Sequence, residues 1–164
     1  MKLWVDGNAG NAGSAIKLKV SEITADINHQ TKSRGVRAVN AIRNAELEVL
    51  KGQRSGRKYR KPYTGSKTRE ERKKTGYKPR MYTASAPGEP PARRSGNLRM
   101  HWNGSVKTRN TSGGMEVIAV LESGEKYAAA LEKGTSKMAP RPFVEKVREK
   151  AMPEIRKIYG SPYT

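Results

Sequence analysis

The sequence predicts an α+β fold: a small antiparallel sheet packed by a long N-terminal helix and a C-terminal helix, with a long basic inserted arm. Three observations predict it. Residues 15–51 place apolar side chains at helical spacing. Residues 98–122 hold two apolar runs around a glycine-rich break, the pattern of a hairpin. Residues 53–97 carry almost no apolar periodicity and most of the excess charge. One domain is expected over 1–164. It divides into an N-terminal strand and long helix (1–52), an extended basic arm (53–97), and a sheet with a short and a C-terminal helix (98–164).

The first element, residues 1–6 (MKLWVD), reads as a short strand with Leu3 and Val5 on one face and Trp4 on the other. Residues 7–13 are rich in Gly, Asn and Ala and read as a flexible turn or hinge. Ser14 is placed to cap the helix that follows. In that helix Ile16, Val20, Ile23 and Ile27 fall on one stripe. A polar break at 28–33 follows, and the stripe resumes at Val36, Val39 and Ile42, with Leu47 and Leu50 beyond. Gly35 costs about 1 kcal/mol against alanine in a helix and marks an expected kink, so the helix is read as one piece or two. Gly52 is its stop.

Between residues 53 and 80 stand twelve Lys and Arg against only Glu70 and Glu71. They begin with Arg54, Arg57, Lys58, Arg60, Lys61 and Lys67. Arg69, Arg72, Lys73, Lys74, Lys78 and Arg80 complete them. Tyr59, Tyr63, Tyr77 and Tyr82 are spaced through the region. A segment of this composition buries too little apolar surface to order itself, so it is expected to be mobile alone or held by a partner. Residues 83–91 (TASAPGEPP) form a stiff, turn-rich approach, and 93–98 (RRSGNL) lead into the sheet.

Residues 98–108 read as a strand through Met100, Trp102 and Val106, with Gly104 a candidate bulge. NTSGG at 110–114 reads as the hairpin loop. MEVIAVLE at 115–122 is the most apolar strand and is expected to be central. Residues 127–133 read as a short helix, with Gly134 at its left-handed end. Pro140 and Pro142 bracket Arg141 and hold the backbone extended, with Pro142 suited to open the next helix. That helix covers 143–159, with Val144, Val147, Ala151, Ile155 and Ile158 on one side. Pro153 predicts a break or kink near Met152.

Composition narrows the function. The net charge is +19, with 34 Lys and Arg against 15 Asp and Glu, and apolar residues are 34 %. Such charge points to a polyanion, usually nucleic acid, or to acidic protein surfaces. The absence of cysteine excludes disulfides, thiolate metal sites and a Cys nucleophile. No apolar run approaches the length of a membrane span. Residues 1–13 have no apolar h-region, so no signal peptide is expected, and synthesis and action in a cytoplasm are.

Candidate chemistry is sparse. His29 and His101 have no neighbouring carboxylate or second histidine at ligand spacing in the sequence. Glu116, Glu122, Glu125 and Glu132 are scattered rather than grouped as a Mg²⁺ nuclease would need. NAGNAGS at 8–14 lacks the Lys-Ser/Thr of a phosphate loop. No catalytic residue, metal or cofactor is expected. The basic arm is the main functional signal. Its lysines, arginines and interleaved tyrosines suit contact with adjoining subunits, or phosphate contacts and stacking on nucleic acid. A merely solvated loop is the third reading.

Three stretches together resemble the HK97 gp10-like family of tailed-bacteriophage neck and tail-completion proteins. SAPGEPPARRSGNL at 85–98 is similar to that family's Gly-x-Pro-Pro approach and turn into the sheet, with Gly88, Pro90, Pro91, Gly96 and Leu98 setting the entry. YAAALEKGTSKMAPRPF at 127–143 is similar to its Glu-x-Gly-Thr-Ser-Lys-Met…Arg-Pro-Phe segment. There Gly134, Thr135, Pro140, Arg141, Pro142 and Phe143 form a structural joint. The long helix before both is the third. Arg94-Ser95-Gly96 stands where many relatives have Asp-Thr-Gly.

The resemblance implies a structural virion protein of the head-to-tail interface, not an enzyme. It implies a ring of this chain, a hexamer, around the DNA channel. The basic arm would then contact sister subunits or neighbouring neck and tail proteins: head-closure, tail-terminator or tail-tube proteins. DNA in the channel is a further expected contact, and the location would be the virion, after assembly in the host cytoplasm. The alternative is a basic nucleic-acid-binding protein using residues 53–80 on phosphates.

Overall fold

The structure, a computed structural model, describes residues 9–112 and 114–163, with side chains from residue 13 onward. The expected strand at 1–6 lies outside the described residues. The fold is α+β, as the patterning predicts.

Helix α1 (Ala9–Lys51) is a single helix of 43 residues, about 65 Å long at the usual rise. The turn read at 7–13 is therefore helical from Ala9 on, and Ser14 lies inside the helix rather than capping it. Extending an existing helix adds a hydrogen bond per residue without a new nucleus, which outweighs the cost of Gly10 and Gly13. The polar stretch at 28–33 does not interrupt it either.

Gly35 is no kink. A Cβ placed there would lie 2.6 Å from Val117 Cγ1 and 3.0 Å from Val106 Cγ1. The glycine opens a notch in α1 into which the sheet settles. That sheet is a ribbon of β3 (Trp102–Thr111) and β4 (Gly114–Ser123), antiparallel and in register from Trp102↔Ser123 to Thr111↔Gly114. A second notch is cut from the other side: a Cβ on Gly104 would meet Val39 Cγ1 at 2.5 Å. Helix glycine admits strand valine, and strand glycine admits helix valine. Gly104 pairs with Leu121 in an unbroken ladder, so it is no bulge.

Three boundaries differ from expectation. Residues 97–100 are not strand but a helical turn, α3 (Asn97–Met100). Gly96 enters it at φ +102°, a conformation costly to any residue with a Cβ. The ladder extends to Thr111↔Gly114, so the hairpin connection is shorter than NTSGG suggested. β4 is not central: among the described residues it pairs with β3 alone, and α1 packs on the face of the ribbon rather than at its edge.

Helix α4 (Ala128–Lys133) is followed by Gly134 at φ 78°, ψ −180°, a conformation open essentially to glycine rather than the left-handed helical cap expected. Helix α5 (Val144–Gly160) begins two residues after Pro142, not at it. It also runs through Pro153 without a break. Ala151 and Ile158 are buried on either side of the proline, and this packing holds the helix across the missing N–H. Val144 is 52 % exposed and off the buried side.

The core has two adjoining clusters where α1 and α5 run antiparallel. Leu50, Leu98, Ala128 and Phe143 form one, with Trp102 edge-on to Phe143 at 6.1 Å. Ala45, Val147 and Ala151 form the other. At the far end of α5, Arg34 donates to the Pro162 carbonyl at 2.8 Å and lies over the Tyr163 ring. Beyond that point α1 leaves the body. Residues 13–27 are all exposed, and Ile16, Val20, Ile23 and Ile27 are 43–60 % exposed. This stripe faces solvent, because among the described residues no element reaches that half of the helix.

Candidate functional site

Two regions gather the residues singled out in the sequence. The first is the joint. Its components come from stretches some 40 residues apart and interlock through backbone groups. Glu132 Oε2 accepts from the Phe143 N–H at 2.8 Å and the Val144 N–H at 3.2 Å. It thus caps α5, which has no side-chain cap of its own. The Arg141 N–H donates to the Leu131 carbonyl at 2.8 Å, and its guanidinium bonds the Ser85 carbonyl and hydroxyl. The Gly88 N–H donates to the Pro140 carbonyl at 3.1 Å. Just after Gly134, Thr135 and Met138 exchange backbone bonds across a turn at Ser136 and Lys137.

Pro90, Pro91 and Leu98 are buried beside this joint, and Phe143 is 1 % exposed. The joint residues therefore do come together, as a scaffold. A groove of about 700 Å³ opens alongside, walled by Leu50, Pro91, Leu98, Leu131, Met138 and Arg141.

The second region is the basic segment. Expected to lack structure, it contains β1 (Lys58–Arg60), α2 (Arg69–Lys74) and β2 (Met81–Thr83), with β1 and β2 antiparallel. Hydrogen bonding and ring contacts supply what apolar burial does not. Thr68 and Glu71 form a reciprocal capping box at the start of α2. Tyr59 stacks on Tyr82 at 5.8 Å across the ribbon. Tyr63 and Tyr77 meet edge to face at 5.2 Å, and Arg72 lies over Tyr63 at 4.2 Å.

Glu89 ties this module to the body. It accepts from the Ser55 hydroxyl at 2.6 Å, the Ser55 N–H at 3.1 Å and the Ala86 N–H at 2.9 Å. These bonds, the Ser55 hydroxyl first, hold its carboxyl down to about 2. Arg54 donates to the carbonyls of Val49 and Pro91 and closes the same seam.

The module's cations form no ion pairs among the described residues, although Arg54 feels the charge of Glu89 across the seam. None of the ion pairs among the described residues involves a residue from 53–80. The body is paired differently: Arg109 with Glu116, Lys107 with Glu122, Lys150 with Glu48. Two clefts flank the Tyr63–Tyr77 pair. One, about 390 Å³, is lined by Arg60, Lys61, Arg69, Arg72 and Lys73. The other, about 430 Å³, is lined by Lys61, Arg80 and, from the approach segment, Arg94. Arg57, Lys58 and Lys74 are exposed outside both clefts.

Sequence reasoning missed several partners. His101 does have a carboxylate neighbour, since its Nδ1 meets Glu125. Glu46 was not singled out, yet its side chain is fully buried beside Arg43. Burial pushes its carboxyl up to about 7 against the opposing pull of Arg43. No group of three or more His, Asp or Glu gathers as a metal site among the described residues. No described helix is long and apolar enough to cross a membrane.

Comparison with family models, with curated proteins and with solved structures finds no match.

Proposed function

We propose that this chain is a structural subunit of the phage head-to-tail interface, one that assembles as a ring around the DNA channel and joins tail to head. The observation that carries the reading is the uncovered half of α1. Four apolar residues at 16, 20, 23 and 27 follow the 4-3-4 spacing by which helices interlock, and nothing among the described residues covers them. A subunit with so small a core gains by burying that stripe on a neighbour. The flanks carry both signs, Lys17 and Lys19 with Glu22 and Asp26, so another copy of this chain offers matching charge.

The β3–β4 ribbon supports the same reading. Its outer edges are unpaired among the described residues, and Ile118 is 44 % exposed. Open edges are usually covered in a finished assembly. The resemblance of residues 85–98 and 127–143 to phage neck and tail-completion proteins supplies the setting, and these two stretches meet at one joint. Location in the virion follows from the reading.

Sedimentation and electron microscopy test it. The expected result is a closed ring for the natural chain and a smaller species for Ile23→Glu, with the body melting at an unchanged temperature. A monomer at all concentrations, or absence of the chain from purified tailed particles, would sink the proposal.

A further inference from the structure

We infer that the module of β1, α2 and β2 is a binding site for the phosphodiester backbone of a nucleic acid, which lies across the two clefts with the Tyr63–Tyr77 pair between them. The inference goes beyond the ring reading and holds for a single subunit as well.

Three observations carry it. Twelve cations sit within residues 53–80, and none has an ion-pair partner among the described residues. A folded module holding such a cluster pays in self-repulsion, which a bound polyanion relieves. The cations are also arranged rather than strewn. Arg60, Arg69 and Lys73 line the first cleft, Arg80 and Arg94 the second, and Lys61 borders both.

The rings between them favour nucleic acid over an acidic protein surface. Tyr77 is 38 % exposed, and Tyr63 is already braced by Arg72. Cation, aromatic, cation is the order in which a nucleic-acid strand presents phosphate, base, phosphate. Carboxylates on a protein have no such alternation. No acidic residue lines either cleft.

Single strands and duplexes share the phosphate chemistry, and the test separates them. Fluorescence anisotropy is read for a labelled single strand and a labelled duplex through a salt titration. The variant Arg60→Ala/Lys61→Ala/Arg69→Ala/Lys73→Ala removes four charges from the module. A control, Lys126→Ala/Lys133→Ala/Arg156→Ala/Lys157→Ala, removes four exposed charges elsewhere.

The natural chain should lose affinity steeply with salt. The module variant should flatten the slope of log K against log salt by about 3 and weaken binding at least about tenfold, while the control changes little. Tyr77→Ala should weaken single-strand binding alone if bases stack there; silence of that variant with duplex binding kept assigns the site to duplex phosphates. Equal loss in module variant and control would reduce the effect to net charge and overturn the inference. So would binding to polyglutamate as tight as to nucleic acid. Circular dichroism of both variants confirms that each remains folded.

Discussion

Ile16 and Leu50 stand on one helix, each part of a stripe at helical spacing, and are 60 % and 4 % exposed. The first half of α1 carries β-branched residues and leucine as freely as the second. What separates them is the chance of close approach. In the second half Gly35, Ala38 and Ala45 let the β3–β4 ribbon and α5 come near, and all three are buried. The first half has alanines and two glycines too, but no element among the described residues reaches it. Periodicity announces a helix with an apolar face; it says nothing of whether that face is covered within the chain or by another.

Truncations should separate the halves most widely. Leu50→Ala is expected to cost about 2–5 kcal/mol in chemical denaturation, because it leaves a cavity against Phe143 and Leu98. Val20→Ala in the monomer should stay within about 0.5 kcal/mol. A comparable loss at Val20 would mean the free half is already packed, and the contrast would collapse.

Glycine substitutions should differ in sign. Gly35→Leu drives a side chain into Val117 and Val106 and is expected to cost about 1–3 kcal/mol. Gly13 has nothing within 4 Å of an added Cβ, so Gly13→Ala should stabilise by up to about 1 kcal/mol. Thermal melts of the pair decide it; two losses of equal size would show that α1 is not divided as described.

Carboxylates sharpen the contrast further. Asp26 on the free half is exposed, whereas Glu46 on the packed half is buried with its carboxyl raised from 4.5 to about 7. The folded chain holds that proton more tightly than the unfolded chain. Its contribution is therefore complete below about pH 4.5 and is lost as pH rises through about 7. Glu46→Gln should remove this slope and stabilise the protein by about 1–2 kcal/mol above pH 7. An unchanged slope in Glu46→Gln would assign the titration elsewhere.

Local chemistry made much of this legible. Helices at 15–51 and 143–159, the two strands of the ribbon and the Pro-Arg-Pro joint were readable because spacing, proline and glycine act over a few residues. The joint's positions were found, but not what locks it. Glu132 caps a helix eleven residues away, and Ser85 takes Arg141 from 56 residues off. No spacing rule marks such partners. The basic segment was legible as a charge cluster, and its small fold was not, since a capping box and stacked tyrosines replaced the apolar pattern by which order is usually recognised.

By itself the sequence determined the class of fold, the charge of the basic segment and the positions where the backbone must turn, because each depends on side-chain type and near neighbours. Only the tertiary structure decided which glycines were notches, which apolar stripe was core and which surface, and which cations kept their acids. Those outcomes depend on what arrives from elsewhere in the chain, and burial is a property of pairs of surfaces rather than of one.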